Sequence, residues 1–174
     1  MTIFLIAAAV VAMLIVCLLI VAALKPNRFR IERSARIAAA PEKIFPFIAD
    51  FHKWPAWSPF EKMDTNLARS YEGAASGKGA IYAWDGKKAG AGRMEIIEAV
   101  PAKTVIKLDF SRPMTAHNIA EFTLVPNDGA TVVTWAMHGP SPFITKLMHT
   151  VMSMDRMVGP MFEEGLAGLK AATE

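Results

Sequence analysis

Cysteine is almost missing from this chain: Cys17 is the only one in 174 residues. That excludes an internal disulfide framework and a metal site built on thiolates. It also leaves no thiol nucleophile after position 17. The nucleophile elbow G-x-S-x-G and the zinc motif H-E-x-x-H are absent. "GAASGKG" (Gly73 to Gly79) is too short for a phosphate loop, and Gly79 stands where Ser or Thr is needed. Neither a cofactor nor a metal is expected. The formal charge of +3 is too mild to point to nucleic acid, so no such partner is expected.

Charge and strong helix breakers are both missing from Ile3 to Leu24. At the helical rise this run spans roughly 33 Å, enough for a bilayer core. A secretory signal would need a basic leader and a shorter apolar run. "LIVC" (Leu14 to Cys17) is no lipobox, because Val16 stands where a small residue is required. The reading is a transmembrane anchor over residues 1–25 and a second domain over 26–174. Lys25, Arg28, Arg30, Arg33 and Arg36 follow the run, and no Lys or Arg precedes it. The positive-inside rule then makes this a single-pass membrane protein with its domain in the cytoplasm.

What remains alternates. "RFRIERSARI" (Arg28 to Ile37) puts Phe29, Ile31, Ala35 and Ile37 on one face of a strand. "APEKIFPFIAD" opens a short helix with Pro41 in its first turn. "WPAWSPF" (Trp54 to Phe60) reads as a proline-broken loop: a hydrophobic plug, a cavity lip or an anchor at the bilayer interface. About six strand-like runs follow, separated by turn signals. The clearest is "PNDG" (Pro126 to Gly129), where a two-residue turn at Asn127-Asp128 would set His117 opposite His138. Such a pair could titrate or hold a metal, though no third ligand is evident. A long helix from about Pro142 to Ala172 closes the chain, with a kink expected at Gly159-Pro160. The expected class is α+β: a curved antiparallel sheet wrapped on a long C-terminal helix.

In that order of elements, "APEKIF", "DFHKWPAWSPFEKMD", "GKGAIYAWDG", "TVVTWAMHG" and "MDRMVGPMFEEGLAGLK" carry a resemblance. The chain resembles the helix-grip, START-like superfamily of polyketide cyclase/dehydrase and lipid-transport proteins from Phe29 to about Lys170. The resemblance implies an apolar cavity between sheet and terminal helix, and a lipid, quinone or polyketide-like ligand. It does not imply an activity, because one fold hosts many functions.

Strand parity nominates the lining. Phe122, Trp135 and Met137 share the apolar face of the last hairpin, and Asn118 would be a polar handle beside them. Leu108 and Phe110 point the same way, as do Met94 and Ile96. Tyr82 and Trp84 are aromatic candidates whose polar atoms need partners when buried. Met148 and Met152 belong to a run of five methionines between Met148 and Met161, either an adaptable wall or filler around the Gly159-Pro160 break. Glu98 shares the parity of Met94 but lies at a strand end beside the Val100-Pro101 turn: a rim residue, or, if buried, an acid or base. No paired acid and base is evident, which weighs against an enzyme. The leading expectation is membrane-anchored binding or transfer of a hydrophobic small molecule. A cyclase or dehydratase using Tyr82, Asn118 or Glu98, and a tethered interaction module without ligand, are the alternatives.

Overall fold

A computed structural model describes residues 1–64 and 66–174. The uncharged run forms helix α1 (Thr2–Leu24), long and apolar enough to cross a membrane. Its side chains are exposed along nearly all its length; Ala22, near its C-terminal end, is buried.

The alternating run after it is strand β1 (Arg28–Ile37), with Ile31 and Ile37 buried. Helix α2 (Pro41–Ile48) follows, with Pro41 at its start and Ile44 and Ile48 buried on one side. Two 3₁₀ turns, Phe51–Ala56 and Pro59–Lys62, carry the proline-broken segment. The remaining strands are β2 (Ala68–Gly73), β3 (Ala80–Gly86), β4 (Gly90–Val100), β5 (Lys103–Arg112), β6 (Ala116–Asn127) and β7 (Ala130–Pro140). All neighbours are antiparallel, in the order β1-β7-β6-β5-β4-β3-β2. Helices α3 (Phe143–Val151) and α4 (Met154–Thr173) end the chain. The fold is α+β, the helix-grip arrangement, with α1 preceding it.

The last hairpin turns one residue later than the sequence suggests. Asn127 pairs with Ala130, so Asp128 and Gly129 are the turn residues, with φ of 46° and 73°. A tight hairpin turn of this kind needs positive φ at both central positions, which Asp-Gly supplies more readily than Asn-Asp. Moving the turn by one residue shifts each partner by two, so every side chain keeps its face. Phe122 still shares a face with Trp135. The opposite partners do change: His138 faces Ile119, not His117. His117 bonds Asp109 at 2.7 Å, while His138 lies 3.4 Å from Glu121. The expected histidine pair does not form.

Glu98 has the surface position of a rim residue, and its inward parity is lost. A β-bulge between Ile96 and Glu98 adds one residue to β4. An added residue reverses the alternation beyond it. Glu98 is therefore exposed and lies 3.8 Å from Lys103 at the surface.

The terminal helix also breaks early. α3 ends at Val151, and Ser153 caps α4, its side chain accepting from the Arg156 amide, with Asp155 in the first turn. Serine followed by an acidic first turn is a helix-start signal, and it outweighs the proline. Pro160 lies inside α4, which continues through it. Helix α4 runs along β1: Arg33 donates to Asp155 in its first turn and to Glu163 at its middle, and Glu174 accepts from the Ala38 amide at its end. Phe162, Leu166 and Leu169 are buried against the sheet.

Candidate functional site

Between the concave face of the sheet and α4 lies an apolar cavity of about 150 Å³. The sheet contributes Tyr82 and Trp84 from β3, Met94 from β4, Leu108 and Phe110 from β5, Ala120 from β6, and Trp135 and Met137 from β7. Helix α4 adds Val158 and Phe162, one turn apart. Trp54, Phe60, Glu61, Met63, Leu67 and Ala89 complete the wall. Strand alternation explains the sheet side: Tyr82, Met94 and Leu108 sit in register across three strands.

Seven of the nominated residues thus meet at one cavity: Tyr82, Trp84, Met94, Leu108, Phe110, Trp135 and Met137. Five do not line it. Ile96 and Phe122 have the right parity but are wholly buried in the core beyond it. Asn118 is buried against Gly139, whose missing Cβ leaves room for its carboxamide. Met148 and Met152 are exposed, because α3 turns away from the sheet instead of continuing the covering helix. These two therefore lie outside the cavity wall, before the break at Ser153.

Trp57 and Trp54 are both buried, and their indole N–H groups donate to Phe47 O and Ile48 O at 3.0 Å. "WPAWSPF" is therefore a packed plug, with Trp54 also forming cavity wall, and not an interfacial anchor. Trp135 stacks between Phe162, with ring centroids 4.2 Å apart, and Phe122, at 4.9 Å. Its indole nitrogen has no acceptor among the described residues.

The one charged group of the wall, Glu61, was not nominated from sequence. It is buried, accepts from the Tyr82 hydroxyl at 2.6 Å and from Arg69 Nε at 2.7 Å. Arg69 also donates to the Glu61 backbone carbonyl at 3.2 Å, so the pair is clamped twice. Nothing in "SPFEKMD" marks its glutamate as buried; only the return of β2 over the 3₁₀ turn brings Arg69 to it. Burial, and then the bond to Glu61, push the Tyr82 hydroxyl well above the ordinary tyrosine range. Tyr82 therefore stays protonated and donates across the working pH range.

That shift predicts a pH effect. A tyrosine whose folded pKa is raised supports the fold fully below about pH 10 and loses that support as pH rises further. Tyr82→Phe should flatten the alkaline limb of a stability-against-pH curve measured by urea unfolding. An unchanged limb would show that Tyr82 is not the group titrating.

Over residues 28–174 the chain matches the family described as polyketide cyclase / dehydrase and lipid transport. It belongs to that family. Among curated proteins none matches. Solved structures share the fold at low identity. Protein CV1439 from Chromobacterium violaceum is 18% identical with a TM-score of 0.60, covering 86% of this chain and 99% of its own. The Aha1 dimer from Colwellia psychrerythraea is 17% identical with a TM-score of 0.56, covering 84% and 96%. StfQ, a di-domain ARO/CYC protein of the steffimycin biosynthetic pathway, is 13% identical with a TM-score of 0.63. That match covers 84% of this chain and 51% of StfQ.

Proposed function

We propose that this family member binds a hydrophobic small molecule between its sheet and α4, and exchanges it with a membrane to which α1 anchors it. The cavity carries the reading: an almost wholly apolar wall with one buried polar pair, Glu61 and Tyr82, on its rim of strands and turns. Ligand pockets have that composition, apolar with a few placed polar groups. A cavity of about 150 Å³ is of the order that accepts a single aromatic ring. A lipid tail, quinone head or polyketide ring would enter ring by ring, or with outward movement of α4. The residues that would touch it are the seven nominated ones together with Val158 and Phe162. The domain division at residues 25 and 26 and the cytoplasmic side follow the apolar run and the basic residues after it.

Val158→Trp tests the cavity. Val158 is half-buried on α4, so a larger side chain there can fill the space without rebuilding the sheet. Binding of the apolar fluorophore N-phenyl-1-naphthylamine should weaken about tenfold, a loss near 1.4 kcal/mol. Equal binding by both proteins would remove the cavity from the mechanism.

A cyclase or dehydratase is the second reading, and Glu61 with Tyr82 favours it, because a carboxylate hydrogen-bonded to a phenol at a cavity wall can move a proton. Turnover of a polyketide substrate that Tyr82→Phe abolishes while fluorophore binding persists would decide for the enzyme.

A further inference from the structure

Helix α3 is amphipathic the wrong way round for a water-soluble domain. Its polar side faces the protein: Lys146 is buried and its Nζ donates to Asn27 Oδ1 at 2.6 Å, and Lys25 Nζ donates to the His149 carbonyl at 2.6 Å. Its apolar side faces outward. Ile144, Met148 and Val151, spaced to share one face, are 56%, 46% and 73% exposed. Met152 beside them is exposed as well. An apolar helix face of this kind marks an interaction surface.

The fold says what lies opposite it. Helix α3 packs on the C-terminal end of α1, the one helix among the described residues long and apolar enough to cross a membrane. Helix α1, in contact with α3, likewise leaves its apolar side chains exposed. Both sit at the end of the sheet where Arg28 pairs with Pro140. By strand direction, the β3–β4 turn with exposed Lys87 and Lys88 and the β5–β6 turn with exposed Met114 lie at that same end. The cavity residues Trp84, Ala89 and Phe110 are there too.

We infer that α3 is an interfacial helix, lying in the headgroup layer beside the exit of α1, with Ile144, Met148 and Val151 inserted toward the acyl chains. An amphipathic helix with aliphatic residues on one face, and lysines nearby for anionic headgroups, binds a bilayer surface in this way. Two attachment points, α1 and α3, fix the domain's tilt where α1 alone would leave it free to swing. The cavity end of the sheet is then held against the bilayer, from which a hydrophobic ligand would partition. The inference rests on the membrane reading of α1 and goes beyond it.

Spin labels on the full chain test it. Single cysteines replace Ile144, Met148 or Val151 in a Cys17→Ser background, and the protein is reconstituted in vesicles of phosphatidylethanolamine and phosphatidylglycerol. Native Cys17 labelled alone reports on α1, and Glu72→Cys in the Cys17→Ser background reports on the far edge of the sheet. The expected result is a several-fold excess of collisions with oxygen over a water-soluble nickel chelate at all three α3 positions and at Cys17, reversed at position 72. Nickel access at the α3 positions with Cys17 still in lipid would overturn the inference and spare the anchor. Nickel access at Cys17 would overturn both. Labels on α3 shielded from both reagents would overturn it in favour of a second copy of the chain.

Discussion

Gly168→Ala should lower stability by about 1–3 kcal/mol, although alanine in a helix ordinarily gains about 1 kcal/mol over glycine. A Cβ at Gly168 would sit 2.5 Å from the carbonyl oxygen of Trp57 and 3.3 Å from its Cα. The obstacle is backbone, and that backbone is fixed. Trp57 is buried, its amide donates to Trp54 O, and its indole donates to Phe47 O. Helix α4 must therefore move off the plug, losing contact along Phe162, Leu166 and Leu169. At Gly159 the nearest atoms are the guanidinium of Arg33, a side-chain end that can shift at the expense of its surface bonds to Asp155 and Glu163, so the same substitution should cost less, under about 1 kcal/mol. Gly165 meets the Trp135 ring at 2.5 Å and should fall between them while narrowing the cavity. Urea unfolding followed by near-UV circular dichroism ranks the three. Gly168→Ala at or above the parent would show that α4 does not depend on this close approach.

Arg69→Met should cost about 2–3 kcal/mol, well above an ordinary surface substitution. Glu61 is nearly enclosed, with a side chain 5% exposed, and relies on Arg69 and Tyr82 for its hydrogen bonds. Removing the arginine strands a carboxylate in an apolar wall, and desolvation of an unpaired charge dominates the loss. Arg69 is itself 30% exposed, so water replaces part of what it gave, which holds the figure below that of a fully buried pair. Adding Glu61→Leu to Arg69→Met should recover most of the loss, because the stranded charge is gone. A double variant as unstable as the sum of the singles would mean the two side chains act independently.

Strand faces were legible because a period of two survives many errors. The last hairpin turns one residue away from the expected place, yet Trp135, Met137 and Phe122 keep their side, since the shift in pairing is even. Where the error is odd, parity fails: one extra residue after Ile96 sends Glu98 outward. Depth was not legible at all. Ile96 and Phe122 alternate like Met94 and Trp135, and only the position of α4 over the sheet separates core from cavity wall. Met148 and Met152 could not be placed from sequence, because a run of apolar residues does not say which side faces the protein. Buried Lys146, bonded to Asn27 across 119 positions of sequence, reverses α3.

The sequence by itself determined the uncharged run of α1, the seven strands and, short of the bulge after Ile96, the inward faces of β3 to β7, because these follow from local composition and short periodicity; the family was carried by the resemblance of its short motifs. Tertiary structure decided the rest: the pairing of Arg69 with Glu61, the break that frees α3 from the sheet, and the close approach of Gly168 that lets α4 close on Trp57. Those outcomes depend on distances between residues far apart in the chain, which periodicity does not encode.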